Sequence, residues 1–294
     1  MAIKGLSIPV FGRYGYNQKT GKATYSGGMK NPHAIEYTLT PETTDNNPLY
    51  GDNQIIENDV PRFNGATLSL GVDDLTQETS KFILGVKVVQ QDYGNGKTAE
   101  VTVFDDDQSQ PYLGVGVIEE HQINDINHYR AVIMLKTKFN NSEDTATTRG
   151  ESVEWQTKTI DANVSRSDEV SESGNHPWMK AAWFDTEADA VEFLEYMLGV
   201  GELGTLRIVS AAGTSEGHTK ITVTPEKTGE NVYYYQVGTS LQLPEYNADC
   251  SDMTEWDGTS EIAAESGQEI LIVECDGVNA RSAGIETVTV NGGE

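Results

Sequence analysis

Short segments in which apolar and polar residues alternate recur along almost the whole chain, and this pattern most constrains the fold. A period of two puts every second side chain on one face, so each segment can bury that face only as a strand within a sheet. Residues 3–16, 22–26, 34–40, 66–72, 86–91, 98–104, 112–119, 129–139 and 150–160 read in this way. Gly27-Gly28 and Tyr93-Gly94-Asn95-Gly96 punctuate them, and Asn-Gly is a strong hairpin signal. Strands in succession with short turns predict an antiparallel sandwich or barrel-like sheet rather than βαβ units.

Two helices interrupt the pattern. One begins near residue 75, where Asp73 or Asp74 can cap it, Leu75 and Phe82 share a face and Gly85 is a stop. The other spans residues 187–198. Thr186 with Asp189 approximates a capping box, and Ala190, Phe193, Leu194, Met197 and Leu198 share one face. At 1.5 Å per residue this is about 18 Å of amphipathic helix, expected to lie across a sheet and close the core. Residues 161–175 are polar and predict a strand end followed by a mobile surface loop. The glycine-dense stretch 199–204 reads as a linker, dividing the chain into domains of residues 1–200 and 201–294. Beyond it the texture is β only, with strands at 206–211, 219–224, 232–237, 269–274 and 286–290. Tyr233 and Tyr235 face one way and Tyr234 the other, and Trp256 is a core candidate. The expectation is therefore mainly β: a sandwich or barrel with one or two flanking helices, followed by a small Ig-like β-sandwich. The Cys to Trp to Cys spacing of true immunoglobulin domains is missing.

Residues 41–63 break the alternation. Pro41, Pro48 and Pro61 remove backbone donors, and the Asx-rich run favours turns, so this stretch reads as a long loop between two strands that pair as a hairpin. Loops of this length in compact domains usually serve binding or are disordered. Leu49 and Tyr50 argue against disorder, because leaving a Leu in water forgoes about 1.5–3 kcal/mol of burial. Two placements stay open: the tip projects and carries the pair outward, or it folds back and tucks them into the domain's own core.

Net charge is −26, with 16 basic and 30 acidic side chains in residues 1–200 and 4 and 16 in residues 201–294. Scattered, outnumbered cations argue against a grip on phosphates. No apolar run approaches the roughly 18 residues a membrane span needs. The N-terminus shows no basic segment followed by an apolar stretch, so no secretory signal is expected. Cys250 and Cys275 are too few for a disulfide-built scaffold, and folding in a reducing cytoplasm is the simpler reading. A bridge between them would be worth about 3 kcal/mol if geometry allowed it.

Enzyme chemistry is not expected. His33, His121, His128, His176 and His218 fall in no metal spacing, and Asp105-Asp106-Asp107 reads as a solvated acidic turn rather than a cation site. No nucleophile elbow, phosphate-binding loop or dinucleotide fingerprint occurs, so no catalytic, metal or cofactor residues are assigned and no cofactor is expected.

Leu49-Tyr50-Gly51-Asp52-Asn53, Phe63-Asn64-Gly65-Ala66-Thr67-Leu68 and Val72-Asp73-Asp74-Leu75 resemble the major tail tube proteins of long-tailed bacteriophages of Gram-positive bacteria. So do Gly5-Leu6-Ser7-Ile8-Pro9-Val10-Phe11, Pro111-Tyr112-Leu113-Gly114-Val115-Gly116-Val117 and Gly150-Glu151-Ser152-Val153-Glu154-Trp155-Gln156-Thr157, in the order the family has them. The resemblance covers residues 1–199; the C-terminal domain looks like those appended to some tail tube proteins. It implies a structural virion protein that self-assembles into hexameric rings, stacked into the viral tail tube through which DNA passes without specific binding. The implied partners are further copies of the chain, the tape measure protein and the tail terminator or other end-capping proteins, with no membrane. Assembly would take place in the host bacterial cytoplasm, and the final location would be the virion tail. Leu49, Tyr50, Asp52 and Asn53 are then the candidates for contact between subunits or rings. The alternative is an Ig-like surface-binding or adhesion module with no assembly role, since a β-sandwich hosts many functions.

Overall fold

A computed structural model describes residues 2–31, 33–141, 144–149 and 155–292. Among the described residues the protein is mainly β, with several sheets and two helices. It divides into two compact units, one of residues 1–23 and 30–198 and the other of residues 24–29 and 199–294.

The first unit is built from β1 (Ala2–Asn17), the ends of β2 (Lys22–Lys30, whose residues 24–29 are counted with the second unit), β3 (Ala34–Thr43), β4 (Pro48–Gly51), β5 (Gln54–Asn58), β6 (Phe63–Val72), α1 (Gln77–Leu84), β7 (Lys87–Asp92), β8 (Thr98–Val103), β9 (Leu113–Ile123), β10 (Ile126–Phe139), β11 (Lys158–Ser165), β12 (Met179–Phe184) and α2 (Glu187–Leu198). One sheet dominates, in the order β2-β1-β9-β10-β11-β6-β3, with β12 also paired to β10. β4-β5 and β7-β8 are separate two-stranded ribbons.

β9 explains the layering. Its residues Leu113 to Glu119 are all buried except for no more than a trace of surface, so both faces of this strand are covered. On one face lies α2, whose Ala190, Leu194 and Leu198 are fully buried. Gly116 makes that approach possible: a Cβ there would meet the Leu194 methyl at 2.9 Å and the Leu198 methyl at 3.0 Å. On the other face, cross-strand partners bring Phe11, Val115 and Met134 together, then Val117 beside Val132 and Glu119 beside Arg130. Phe11 and Phe139 meet edge to face at 5.8 Å, a favoured aromatic geometry. The helix is capped as its sequence predicts, with Thr186 Oγ1 accepting from the Asp189 backbone N–H at 3.2 Å and donating to its carboxylate at 2.7 Å.

Several local expectations shift. Thr76, not Asp73 or Asp74, caps α1, because its hydroxyl stands three residues before Thr79 and accepts that residue's N–H at 3.1 Å. Leu75 therefore precedes the helix; Gly85 ends it in the left-handed conformation at φ 66°. Residues 150–154 of the expected strand 150–160 lie outside the described residues, and the strand itself begins at Lys158 and runs to Ser165. The segment after it is pinned by polar contacts: Asp168 accepts from Tyr14 Oη at 3.0 Å and from Lys136 Nζ at 2.6 Å. β12 was not legible as a strand because Met179-Lys180-Ala181-Ala182 carries no clear alternation.

The second unit contains β13 (Gly204–Thr205), β14 (Arg207–Ala212), β15 (His218–Thr224), β16 (Val232–Gly238), β17 (Thr254–Trp256), β18 (Ile262–Ala263), β19 (Glu269–Asp276) and β20 (Asn279–Thr287). A five-stranded sheet, β13-β20-β19-β16-β17, accompanies a three-stranded sheet, β14-β15-β18. Leu206, Ile208, Ile221, Tyr233, Trp256, Ile262, Ile270, Ile272 and Val288 from both sheets form one core, as an Ig-like sandwich requires. Tyr235 packs against this core, while Tyr234 packs against a second cluster on the opposite face of β19. Trp256 Nε1 donates to the Ser260 carbonyl at 2.8 Å, so its one polar atom is satisfied inside. The last strand begins at Asn279, several residues before the apolar run that the sequence shows.

Candidate functional site

β3 and β6 pair antiparallel from Ala34↔Val72 to Thr43↔Phe63. Pairing continues one step further, with Thr44 N–H donating to the Arg62 carbonyl at 2.8 Å and Arg62 N–H to Thr44 Oγ1 at 3.0 Å. Beyond this point residues 48–58 form a second small hairpin, β4-β5, instead of an irregular loop. Its turn is Asp52-Asn53, at φ 48° and 63°. Two consecutive positive φ values match the twist of a hairpin, and Asp and Asn tolerate them because their short polar side chains bond locally. Ile56 packs over Gly51, where any side chain would overlap it, and a register shift between Leu49 and Tyr50 accommodates the extra residue.

The result is an apolar ribbon facing solvent. Leu49 is 62% exposed, Tyr50 64%, Ile55 56%, Ile56 65% and Val60 74%. Of the two placements open from the sequence, the tip does not fold back into its own core. Leu49, Tyr50, Asp52 and Asn53 lie in this one hairpin, the first two as exposed side chains of its first strand and the last two as its turn. Sequence reasoning missed Ile55, Ile56 and Val60. The available signal was Asp52-Asn53 followed by a β-branched pair. Contiguous apolar patches on a surface call for an explanation that isolated exposed residues do not.

A second constellation lies in the sheet of the same unit. Glu119, almost wholly buried, accepts from Arg130 Nη1 at 3.0 Å, lies 2.9 Å from His121 Nε2 and is hydrogen-bonded by Tyr37 Oη. Trp183 stands edge-on to the His121 ring, centroids 4.7 Å apart. Burial opposes the Glu119 carboxylate, but bonds from Tyr37, His121 and Arg130 outweigh it and hold its pKa below the ordinary range. Burial and the Glu119 carboxylate push the Tyr37 phenol far up, so it stays a donor. The cluster links β3 to β9 and β10 and acts as a polar latch.

The acidic turn is not an open cation site. Lys87 Nζ sits between Asp105 at 2.9 Å and Asp107 at 2.7 Å. His121 and His128 are cross-strand partners beside the Asn124-Asp125 turn. Among the described residues no group of three or more His, Cys, Asp or Glu is arranged to hold a metal, and no helix is long and apolar enough to cross a membrane.

Residues 211–290, within the sandwich of the second unit, match the family of the S-layer protein SbsC C-terminal domain. No curated protein matches the chain. The match over residues 211–290 points to a cell-surface protein of the S-layer type and corrects the reading of the sequence as a phage major tail tube protein. The same match overturns the expected tail tube function and the expected location in a virion tail. The physical reason lies in the motifs that carried the resemblance. Leu49-Tyr50-Gly51-Asp52-Asn53 is the local chemistry of a tight hairpin, and Phe63-Asn64-Gly65-Ala66-Thr67-Leu68 that of a half-buried strand. Any antiparallel protein can use such pieces.

Proposed function

We propose that this chain is a cell-surface binding module, one that works by contact and not by catalysis. The observation that carries the reading is the S-layer family match over residues 211–290. The exposed ribbon of the other unit supports it, since Leu49, Tyr50, Ile55 and Ile56 form a surface suited to another macromolecule. A strong acidic excess keeps such a surface soluble despite its apolar ribbon. Self-association remains a proposal under this reading, with the same ribbon as the contact.

Two measurements test it. Antibody labelling and surface proteolysis of intact cells of the encoding organism are expected to find the protein outside the cell, and purified protein is expected to sediment with the cell-envelope fraction. A protein confined to the cytosol that ignores envelope fragments overturns the proposal. The ribbon has its own prediction. Replacing Leu49 and Tyr50 together with Ser is expected to leave the melting temperature within about 2 °C, because exposed positions contribute little to the fold. Envelope binding should weaken by about tenfold or more, given the burial each apolar side chain gains in a contact. Unchanged binding by the folded double variant removes the ribbon from the site.

A further inference from the structure

In the second unit β17 has a strand on one flank only. It ends its sheet in the order β13-β20-β19-β16-β17, and β18 ends the other sheet in the order β14-β15-β18. Among the described residues no strand pairs with the outer edge of β17, and its Thr254 and Glu255 are exposed. An edge of this kind offers unpaired backbone donors and acceptors to an incoming chain.

Beside that edge lies a cavity of about 420 Å³. It is bounded by Tyr235, Thr254 and Trp256 of the first sheet, by Ile262 of β18, and by Asp257 and Glu261 of the connection between β17 and β18. Tyr235 stands opposite Thr254 across the β16-β17 pair. The carboxylates hold the connection in place. Asp257 Oδ1 accepts the backbone N–H groups of Thr259 and Ser260 at 2.7 Å each, and Glu261 accepts those of Thr214 at 2.7 Å and Ser215 at 3.3 Å. The Ser260 hydroxyl and these N–H groups hold Asp257 well below the usual carboxylate range, and the Thr214 N–H lowers Glu261 as well. Both therefore stay charged at neutral pH. None of the residues lining the cavity carries a positive charge.

The geometry points to a strand-addition site for a cationic polypeptide: an extended segment bearing lysine or arginine lies along β17, its backbone pairs with the free edge and a basic side chain enters the cavity. In strand addition the backbone bonds supply affinity and pockets beside the edge supply specificity. A basic side chain suits this cavity at both ends, since the carboxylates attract its charged head while the Tyr235 ring and Ile262 accept its aliphatic stem. A second copy of the unit does not fit, because residues 201–294 carry 16 acidic and 4 basic side chains and two such surfaces repel. Nor does a bare metal ion, for which the described residues supply no group of three ligands. The proposal rests on the second unit alone, independently of the ribbon and of the cell-surface reading.

The test titrates the full, isotope-labelled chain with a blocked hexapeptide alternating Lys and Val, with its counterpart carrying Gln for Lys, and with Ca²⁺ alone, while amide exchange is followed by NMR. The Lys peptide is expected to protect amides within residues 254–256 and to bind about tenfold or more tightly than the Gln peptide. Asp257→Asn with Glu261→Gln should weaken it by about tenfold, whereas Glu172→Gln with Glu192→Gln, an equal change of charge in the first unit, should leave Kd within about twofold. Asn and Gln keep a carbonyl oxygen for the backbone N–H groups, and a melting curve reports whether each variant is folded. The mapping on the natural protein decides the case even where a variant unfolds. Equal binding of the two peptides, equal losses in the two double variants, protection away from β17, no binding, or the same amides protected by Ca²⁺ alone overturns the proposal.

Discussion

Leu194→Ala is expected to destabilise the first unit by about 2–5 kcal/mol, the usual range for a fully buried leucine. Leu194 is completely buried on α2 and its methyls sit over Gly116 of β9. Glycine offers no side chain to relax into the space, so the truncated site keeps most of its cavity. For a unit of this size the melting temperature should fall by roughly 5–15 °C. Glu192→Ala, on the solvent side of the same helix, should stay within about 0.5 kcal/mol. Calorimetry on the two variants is decisive, and an unchanged transition for Leu194→Ala would mean that α2 buries a different face.

The second large effect is expected at Glu119. Removing Arg130 as Arg130→Met leaves a buried carboxylate without its cation, a change that costs about 3–5 kcal/mol when the burial is complete. Arg130 is itself partly exposed, so the lower end applies. Tyr37→Phe removes one donor to the same carboxylate, at about 1–3 kcal/mol. The pH dependence has a definite sign. The Glu119 pKa is lowered in the folded state from an ordinary value of 4.5. Its contribution is therefore fully present above that ordinary value and disappears as pH falls below it, through the folded-state pKa. Other carboxylates, Asp168 and Glu169 among them, are lowered as well. The informative quantity is then the difference between the natural protein and Glu119→Gln. Urea unfolding should show that difference large at neutral pH and much reduced near pH 3, below the range of free carboxylates. A difference that does not change with pH would mean that Glu119 is not held ionised by its partners.

Local terms acting over a few residues were legible in the sequence. Period-two alternation located most strands and assigned their faces, as with Tyr233 and Tyr235 against Tyr234. Thr186 and Asp189 marked the start of α2 because a capping bond spans only three residues. The pairing of β3 with β6 was also readable, since the two strands flank one connection. Weak local signals hid the rest of the secondary structure: β12 lacks alternation, and Asn279-Ala280-Arg281-Ser282 gives little hint that β20 has begun.

What only the tertiary structure decided are the relations between residues far apart in the chain. Tyr37 meets Glu119 although β3 and β9 stand far apart in the sheet order, because β3 also contacts β1, the neighbour of β9, and no pattern within either strand encodes that approach. Cys250 joins the apolar cluster that holds Cys275 through a short segment added beside β20. Leu49 and Tyr50 stay outside because a second turn at Asp52-Asn53 turns the expected loop into a ribbon, whereas composition alone allowed burial equally well. The physical reason is common to all three. Propensity, capping and turn chemistry depend on near neighbours, while strand order and burial depend on which distant surfaces cover each other at acceptable cost in chain entropy.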